Sequence, residues 1–250
     1  MNQTQIAAEM RFFDAEYSKA LEYDLAINPR MFRLYEPPFS THFRSLMAAY
    51  LHPVRGKDLL DYGCGQGEES MYFAALGATV TAIDISPVGV EVTNRRAAAN
   101  KLAVTARVMD ATPTGFPDES FDRIHGLGIL HHVGIAAGLS EAARLLRPGG
   151  RAVFAEHMSN AALLDWMRRH LQSDAPRHTD DERPLTWDDC TAAVKRFRNY
   201  SLVPYAVSTR LRHRMPLFER QVFYRLDRFA LRVLPALRML AGGILICVER

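Results

Sequence analysis

The feature that most constrains the fold of this chain is a glycine-rich turn between an apolar run and a helical one. The stretch reads Leu59-Leu60-Asp61-Tyr62-Gly63-Cys64-Gly65-Gln66-Gly67-Glu68-Glu69. This order predicts a buried strand, a tight turn and the start of a helix. Open α/β sheets present backbone to a nucleotide-like ligand in this way, at the carboxyl end of a strand. The alternative is that the glycines serve only the turn and the close packing of the helix.

The charges of the turn indicate which ligand it suits. In a dinucleotide-binding loop the glycines follow G-x-G-x-x-G, and the pyrophosphate lies at the helix N-terminus. Here the third glycine comes one residue early, at Gly67, and Asp61, Glu68 and Glu69 would surround a phosphate with negative charge. We therefore predict a ligand with a cationic, phosphate-free end. S-adenosylmethionine, which carries a sulfonium and an ammonium group, is such a ligand.

Further motifs follow the turn in order. A β-rich run, 79–86, ends in Asp84, and ribose-binding acids lie about 20 residues beyond a glycine turn. The next motifs are Val108-Met109-Asp110-Ala111, the strand-like run 121–132, and Leu145-Leu146-Arg147-Pro148-Gly149-Gly150 before an apolar strand. The series resembles class I S-adenosylmethionine-dependent methyltransferases over roughly residues 57–157, and it is nearest to the small-molecule and quinone-type branch. In place of the N-P-P-Y-like motif of many enzymes that act on nucleic acid or protein, the chain has Gly126-Leu127-Gly128-Ile129.

The resemblance implies a fold and a division of the chain. The expected fold is α/β, a doubly wound, mostly parallel seven-stranded sheet with helices on both faces, an antiparallel edge strand and a helical N-terminal cap. Residues 1–56, which are rich in aromatic side chains, would form this cap as a lid, and residues 57–250 the Rossmann-like domain, with 158–200 as a substrate-side insertion. The pattern predicts helices over 67–76, 87–101, 136–146, 161–171 and 217–233, and strands over 202–209 and 243–249.

The resemblance also implies where the methionine part of the cofactor binds. Asp61 would act through the loop on the ammonium group, and Gly63 and Gly65 would let the backbone approach it. Cys64 would be a small residue fitted between backbone segments. The backbone of Leu127 or Gly128 would meet the same end.

The adenosine part would bind further along the sheet edge. Asp84 would accept both ribose hydroxyls, and Ile85 would pack on the adenine. Asp110 and Ala111 would recognise the adenine edge, although Asp110 could instead begin a surface turn. From the N-terminal segment, the residues that would close over the cofactor, or else pack within their helices, are Tyr17 and Tyr35.

A hydroxyl acceptor must lose its proton during methyl transfer, and a neutral histidine can take it. Candidate bases follow the fourth and fifth strands, whose carboxyl ends border the same crevice. In order of preference they are His132, His157 and His131, followed by Glu156. One of these histidines could instead serve packing or capping, and Glu156 could orient His157.

Composition limits the remaining alternatives. The 250 residues are 48% hydrophobic, enough for one full core, and the net charge of +3 is too small to imply DNA binding. We expect a cytoplasmic protein, because no cleavable signal pattern opens the chain and the three separated cysteines form neither a disulfide framework nor a metal site. Arginines at helical spacing near the C-terminus could lie against anionic lipid. We expect instead a solvated basic face over a core made by Leu226, Phe229, Val233 and Leu237.

Three functions are consistent with this pattern. The first is methylation of a hydroxyl on a small organic molecule in secondary or specialised metabolism. The second is methylation of a lipid-soluble quinone or isoprenoid, of a membrane-linked acceptor, or of RNA. The third is a module that binds S-adenosylmethionine without turnover. The oligomeric state and the atom that is methylated are left open by the sequence.

Overall fold

The computed structural model describes residues 3–22, 25–27, 32, 35, 42–159, 184–207 and 217–250; side-chain positions are not described for 3, 21–22 and 217–224. The predicted helix at 161–171 lies outside the described residues. So does the polar segment 173–184, except for Pro184.

Seven strands form one sheet. Their bounds are β1 Asp58–Tyr62, β2 Thr79–Asp84, β3 Val104–Val108, β4 Phe121–Leu127, β5 Leu146–His157, β6 Asn199–Tyr205 and β7 Gly243–Glu249. Their spatial order is β3-β2-β1-β4-β5-β7-β6. The first five strands pair in parallel, whereas β7 is antiparallel to both β5 and the edge strand β6. The predicted fold class is confirmed, and β6 begins three residues before the predicted strand at 202.

Helices connect these strands. Their bounds are α1 Gln3–Tyr17, α2 Phe43–Leu51, α3 Glu68–Ala75, α4 Pro87–Asn100, α5 Leu130–Val133, α6 Ile135–Leu145, α7 Trp187–Val194 and α8 Leu217–Val233. Within the described residues, 3-10 helices lie at Ser18–Glu22 and Pro235–Leu240. The predicted helices at 67–76, 87–101 and 136–146 are confirmed to within one residue, and the one at 217–233 is confirmed in full.

Local signals explain several of these boundaries. Ser86 caps α4 by accepting a hydrogen bond from the Gly89 amide, with Pro87 at the first helical position. Thr186 and Asp189 form a reciprocal capping box at the start of α7. Both patterns are readable in the sequence, and therefore the starts of these helices could be predicted.

The core lies on both faces of the sheet, and the final strand, β7, contributes to both of them from its place between β5 and β6. Ile244, Ile246 and Val248 pack into the cluster that includes α6 and α7. Leu245 and Cys247 pack into the opposite cluster, with α2 and α3. A strand buried on both faces needs a continuous apolar run, and the predicted insertion of this strand between neighbours is confirmed.

The C-terminal helix α8 does not pack as expected. Leu226, Phe229 and Val233 are 53%, 67% and 59% exposed, so the predicted core beneath a basic face is wrong. Among the described side chains of α8, those of 225–233, the buried one is Asp227, at 6% exposure. Within the described residues, no helix has the length and apolar character needed to cross a bilayer.

Candidate functional site

A cavity of about 310 Å³ lies where β1, β2, β3 and β4 end, and α1 forms one of its walls. Nine of the predicted site residues line it: Tyr17, Gly63, Asp84, Ile85, Asp110, Ala111, Leu127, Gly128 and His132. The predicted residues outside the lining are Tyr35, Asp61, Cys64, Gly65, His131, Glu156 and His157. The structure therefore brings together the residues proposed for adenosine and one of the candidate bases.

The glycine turn holds the backbone against the cavity. The amides of Gly63 and Cys64 both donate to the Ile83 carbonyl, at 3.0 and 2.9 Å. Gly63 has φ +81°, and a Cβ there would lie 3.0 Å from Ile129 Cδ1. The position therefore requires glycine for its backbone conformation and for close packing. The Cys64 thiol is buried, and burial raises its pKa well above the ordinary value, which is unsuited to a nucleophile.

Asp84 ties the end of β2 to the glycine turn. Its Oδ2 accepts a hydrogen bond from the Gly65 amide at 2.8 Å, and its Oδ1 accepts one from the Ser86 amide at 2.9 Å. Burial raises the pKa of this carboxyl, and the two amide donors oppose the shift. Each oxygen retains a further lone pair, so this side chain can still accept hydrogen bonds from a ligand in the cavity.

Asp61 lies beneath the turn instead of facing the cavity. Its Oδ1 is 3.0 Å from His125 Nδ1, and its Oδ2 accepts a hydrogen bond from the Ser70 hydroxyl at 2.5 Å. Asp61 and His125 are directly paired across β1 and β4, and Ser70 lies in α3. Asp61 therefore joins two strands and a helix, and any effect on a ligand passes through the loop.

Glu69 is also turned away from the cavity. Its Oε1 accepts hydrogen bonds from Arg44 Nε and from the Tyr35 hydroxyl, both at 2.8 Å. Burial would raise the pKa of this carboxyl, but Arg44 lowers it overall. The Tyr35 ring stacks on Tyr72 at 3.9 Å between centroids. Tyr35 thus joins the cluster under the glycine turn and does not line the cavity described here.

The negative charge of the cavity comes from other residues than the turn. Its described lining contains three carboxylates, Glu9, Asp84 and Asp110, and no lysine or arginine. Asp110 is exposed, and its Oδ1 accepts a hydrogen bond from the Thr112 amide at 2.9 Å. The charge of the site therefore disfavours an anionic ligand. The carboxylates responsible lie at the ends of β2 and β3 and in α1.

Helix α1 is docked over the cavity through Asp14. Its Oδ1 accepts hydrogen bonds from the Ser86 hydroxyl at 2.5 Å and from the Val88 amide at 3.3 Å. This contact places Tyr17 against the glycine turn, where its hydroxyl would lie 3.0 Å from a Cβ at Gly65. Burial, followed by the charge of Asp84, raises the pKa of the Tyr17 phenol, so it stays a hydrogen-bond donor.

His132 meets this helix directly. Its Nδ1 is 3.3 Å from Glu9 Oε1, and its ring packs edge-on against Phe13 at 5.7 Å between centroids. Phe13 in turn stacks on Tyr17 at 5.7 Å. At this distance the Glu9 carboxylate acts on the ring through its charge, which favours the tautomer with its proton on Nδ1 and its basic nitrogen at Nε2.

Glu156 stabilises the turn that carries His131 and His132. Its Oε1 accepts hydrogen bonds from the amides of Ile129 and Leu130 at 3.0 and 2.8 Å, and its Oε2 is 2.7 Å from His131 Nδ1. The His131 ring lies 4.1 Å from the His132 ring and 6.3 Å from the His157 ring. His157 is exposed at the end of β5. Glu156 therefore caps α5 and positions His131, which leaves His132 as the candidate base in the cavity.

We expect the substitution Glu156→Gln to destabilise the fold by about 1 kcal/mol, because one charge-assisted acceptor is replaced by an amide in a buried position. Urea unfolding measures this change. A matched control is Glu91→Gln, which alters an exposed pair with Arg95 and should cost only a few tenths of a kcal/mol. Equal stability of the two variants would show that Glu156 does not hold the α5 turn.

Sequence reasoning missed Glu9, Phe13 and His125. Glu9, Phe13 and Tyr17 follow at intervals of four residues, which places them on one face of a helix. That spacing was a usable signal for the face of α1 that meets the cavity. The partner of Asp61 carried no such signal, since it depends on the register of two strands 64 residues apart. Among the described residues, no group of histidine, cysteine and acidic side chains could hold a metal ion.

Comparison with known proteins identifies the central part of the chain. Residues 60–154 match the family model described as a methyltransferase domain. In sequence this region is similar to methyltransferase domains. The match covers β1 to β5, including the glycine turn, Asp84 and the histidine turn.

Named relatives match about half of the chain. Demethylmenaquinone methyltransferase of Tropheryma whipplei (strain Twist) is 37% identical over 116 residues, which are 46% of this chain and 48% of that protein. Ubiquinone biosynthesis O-methyltransferase of Rhizobium leguminosarum bv. trifolii is 31% identical over 148 residues, which are 54% of this chain and 59% of that protein. The chain thus spans about half the length of the relatives that it matches.

A solved structure resembles the methyltransferase domain together with its flanks. Geranyl diphosphate C-methyltransferase from Streptomyces coelicolor A3(2), determined with Mg²⁺, geranyl diphosphate and S-adenosyl-L-homocysteine, aligns over 98% of both chains. The TM-score is 0.62 and the sequence identity 16%. At this identity the likeness establishes the fold alone.

Proposed function

We propose that this protein is an S-adenosylmethionine-dependent methyltransferase that acts on a small organic molecule. The observation that carries the proposal is the charge of the cavity, whose described lining has three carboxylates and no lysine or arginine. Such a lining favours a ligand with positive charge and disfavours pyrophosphate. Apart from the residues of α1, the lining lies at the carboxyl ends of parallel strands, within the region that matches a methyltransferase domain.

The residues present fit this cofactor. Asp84 lines the cavity, where its buried carboxylate can accept the ribose hydroxyls. Ile85, Asp110 and Ala111 lie beside it for the adenine. The backbone at Gly63 and Gly128 can approach the methionine end, where Leu127 lies too. When bound, S-adenosylmethionine supplies an activated methyl group.

The remaining task of the chain is to orient the acceptor, exclude water and take a proton. Phe13 and Tyr17 of α1 cover the cavity with apolar and aromatic surface. His132 would accept the hydroxyl proton at Nε2, while the charge of Glu9, 3.3 Å from Nδ1, favours a proton on that nitrogen. Most of the acceleration would come from holding the acceptor in line with the methyl group. Residues 1–56 would act as the lid, and 158–200 would border the acceptor.

We infer that the acceptor is methylated on a hydroxyl, because the histidine in the lining has a carboxylate at its other nitrogen. A lipid-soluble quinone is the second candidate, since two relatives are named for demethylmenaquinone and ubiquinone biosynthesis. The lining residues Ile6, Met10 and Val133 add apolar surface that suits either acceptor. RNA is less favoured, because basic side chains are lacking from the described lining. A cytoplasmic location stays a prediction.

Incubation of the protein with methyl-labelled S-adenosylmethionine and a cell extract tests the proposed function. We expect S-adenosylhomocysteine to form together with a labelled, organic-extractable product, and mass spectrometry of that product names the acceptor. Tight binding of S-adenosylmethionine without S-adenosylhomocysteine formation in any extract would favour the binding module. Heat-denatured protein gives the background rate.

A further inference from the structure

The C-terminal surface consists of the exposed residues of α8 and of the 3-10 helix that follows it. Its large apolar side chains are exposed by 42% to 67% of their area; they are Leu226, Phe229, Val233, Leu234, Met239 and Leu240. Single exposed apolar residues are common on proteins, but a contiguous group of this kind marks an interaction site. This surface is therefore a candidate for contact with a partner.

The orientation of α8 also indicates that this surface contacts a partner. Leu226, Phe229 and Val233 are spaced by three and four residues and form one stripe along the exposed side. Asp227, in contrast, is buried. A helix that packs only on its own domain places its apolar stripe inward. The part of α8 whose side chains are described, 225–233, has the reverse arrangement, so its apolar stripe is available for contact outside the domain.

Positive charge accompanies the stripe. Arg225, Arg228 and Arg232 are exposed and are also spaced by three and four residues, so they form a row beside it. Arg238 is exposed and lies over the Trp187 ring, at 4.8 Å from the centroid. Between residues 225 and 240 the sequence has one acid, the buried Asp227. The C-terminal surface thus combines apolar contact area with uncompensated positive charge.

This combination decides between two occupants. A second copy of the chain would bring the same row of arginines against itself, since a two-fold contact uses one surface twice. The boundary of an anionic bilayer offers apolar chains and negative headgroups together. We propose that the C-terminal surface docks this protein on an anionic membrane, with α8 lying in the interface.

The position of this surface relates membrane docking to the cavity. Gly243 pairs with His157 at the carboxyl end of β5, and the Met158 amide donates to the Gly242 carbonyl. The 3-10 helix therefore ends near the carboxyl end of β5, on the same side of the sheet as the cavity. A lipid-soluble acceptor could pass from the bilayer to the cavity along this side. This last point rests on the proposed function, whereas the docking itself does not.

Co-sedimentation of the full chain with vesicles tests the proposal. Vesicles of phosphatidylcholine alone are compared with vesicles that also contain phosphatidylglycerol, at low and high salt. We expect binding to the anionic vesicles only, weakened by salt. The double substitution Arg228→Gln/Arg232→Gln should lower the partition coefficient roughly 10- to 30-fold. Phe229→Ser should lower it roughly 10-fold, with little change in the salt dependence.

Matched controls come from exposed residues elsewhere. Arg95→Gln removes an exposed arginine on α4, and Tyr200→Ser removes an exposed aromatic ring on the edge strand β6. Both should bind vesicles like the unaltered protein. Unchanged thermal midpoints show that the variants are folded, and unchanged affinity for S-adenosylmethionine separates this test from that of the proposed function.

Two results would overturn the docking. One is a lack of binding to anionic vesicles, or binding that the α8 substitutions leave unaltered. The other is a dimer in sedimentation that Phe229→Ser dissociates, because a second copy would then cover the surface.

Discussion

The substitution His132→Ala is expected to slow methyl transfer by roughly 100- to 10,000-fold while the affinity for S-adenosylmethionine stays near that of the unaltered protein. The reason is that His132 is the histidine in the described lining of the cavity, and its loss removes the group that would take the proton. Single-turnover kinetics with the acceptor found in the extract screen measures the rate, and calorimetry measures the affinity.

A second variant tests the partner of this base. Glu9→Gln keeps the shape of the side chain that lies 3.3 Å from His132 Nδ1 but removes its charge, so we expect a loss of roughly 10-fold in rate. A structural defect in α1 would instead weaken cofactor binding. The loss should shrink for both variants with an acceptor whose hydroxyl is more acidic, because less base is then needed.

His157→Ala is the matched control for these rates. His157 is exposed at the end of β5 and outside the described lining, so we expect its replacement to have little effect. A full rate in His132→Ala together with a slow His157→Ala would assign the base to His157. Full rates in both would exclude a base at either position.

The second large effect concerns Asp84. We expect Asp84→Asn to weaken S-adenosylmethionine binding roughly 10- to 100-fold, because buried hydrogen-bond partners lose a charged acceptor. The carboxamide of the variant would also direct its NH₂ group at either the Gly65 or the Ser86 amide, so that two hydrogen-bond donors would face each other. Calorimetric titration measures the change, with Glu91→Gln as the control at an exposed carboxylate outside the described lining.

A ribose-modified ligand separates a direct role of Asp84 from one through the turn. If the carboxylate binds the ribose hydroxyls, a deoxyribose analogue should bind the unaltered protein and Asp84→Asn with similar affinity. If Asp84 acts only by holding the Gly65 amide, the variant should weaken both ligands equally. The second result would remove Asp84 from the set of cofactor contacts.

The central sheet could be predicted because its signals are local. The glycine turn, the Ser86 cap and the apolar run of β7 each occupy a few consecutive residues, and each fixes one boundary or one layer. The order of motifs then specified which strand ends meet. That is why Asp84, Asp110 and His132 were found in the sequence and also line one cavity.

The position of α1 over the cavity and the source of the negative charge in the cavity depended on contacts that the sequence does not show. Glu9 reaches His132 because Asp14 docks α1 on the start of α4, 72 to 74 residues away. Asp61 and Glu69 looked like the source of negative charge, yet His125 and Arg44 engage them under the turn. Helix α8 had a clear periodicity, but periodicity does not tell which face turns inward.

The charge preference of the cavity is the central claim, and a competition titration tests it most directly. Calorimetry with S-adenosylmethionine, followed by NAD as a competitor, compares a cationic nucleoside with a pyrophosphate. We predict saturable binding of S-adenosylmethionine that an excess of NAD leaves unchanged, and binding that is roughly 10- to 100-fold weaker in Asp84→Asn. Binding of NAD that displaces S-adenosylmethionine, or that occurs in its place, would contradict the assignment of this cavity.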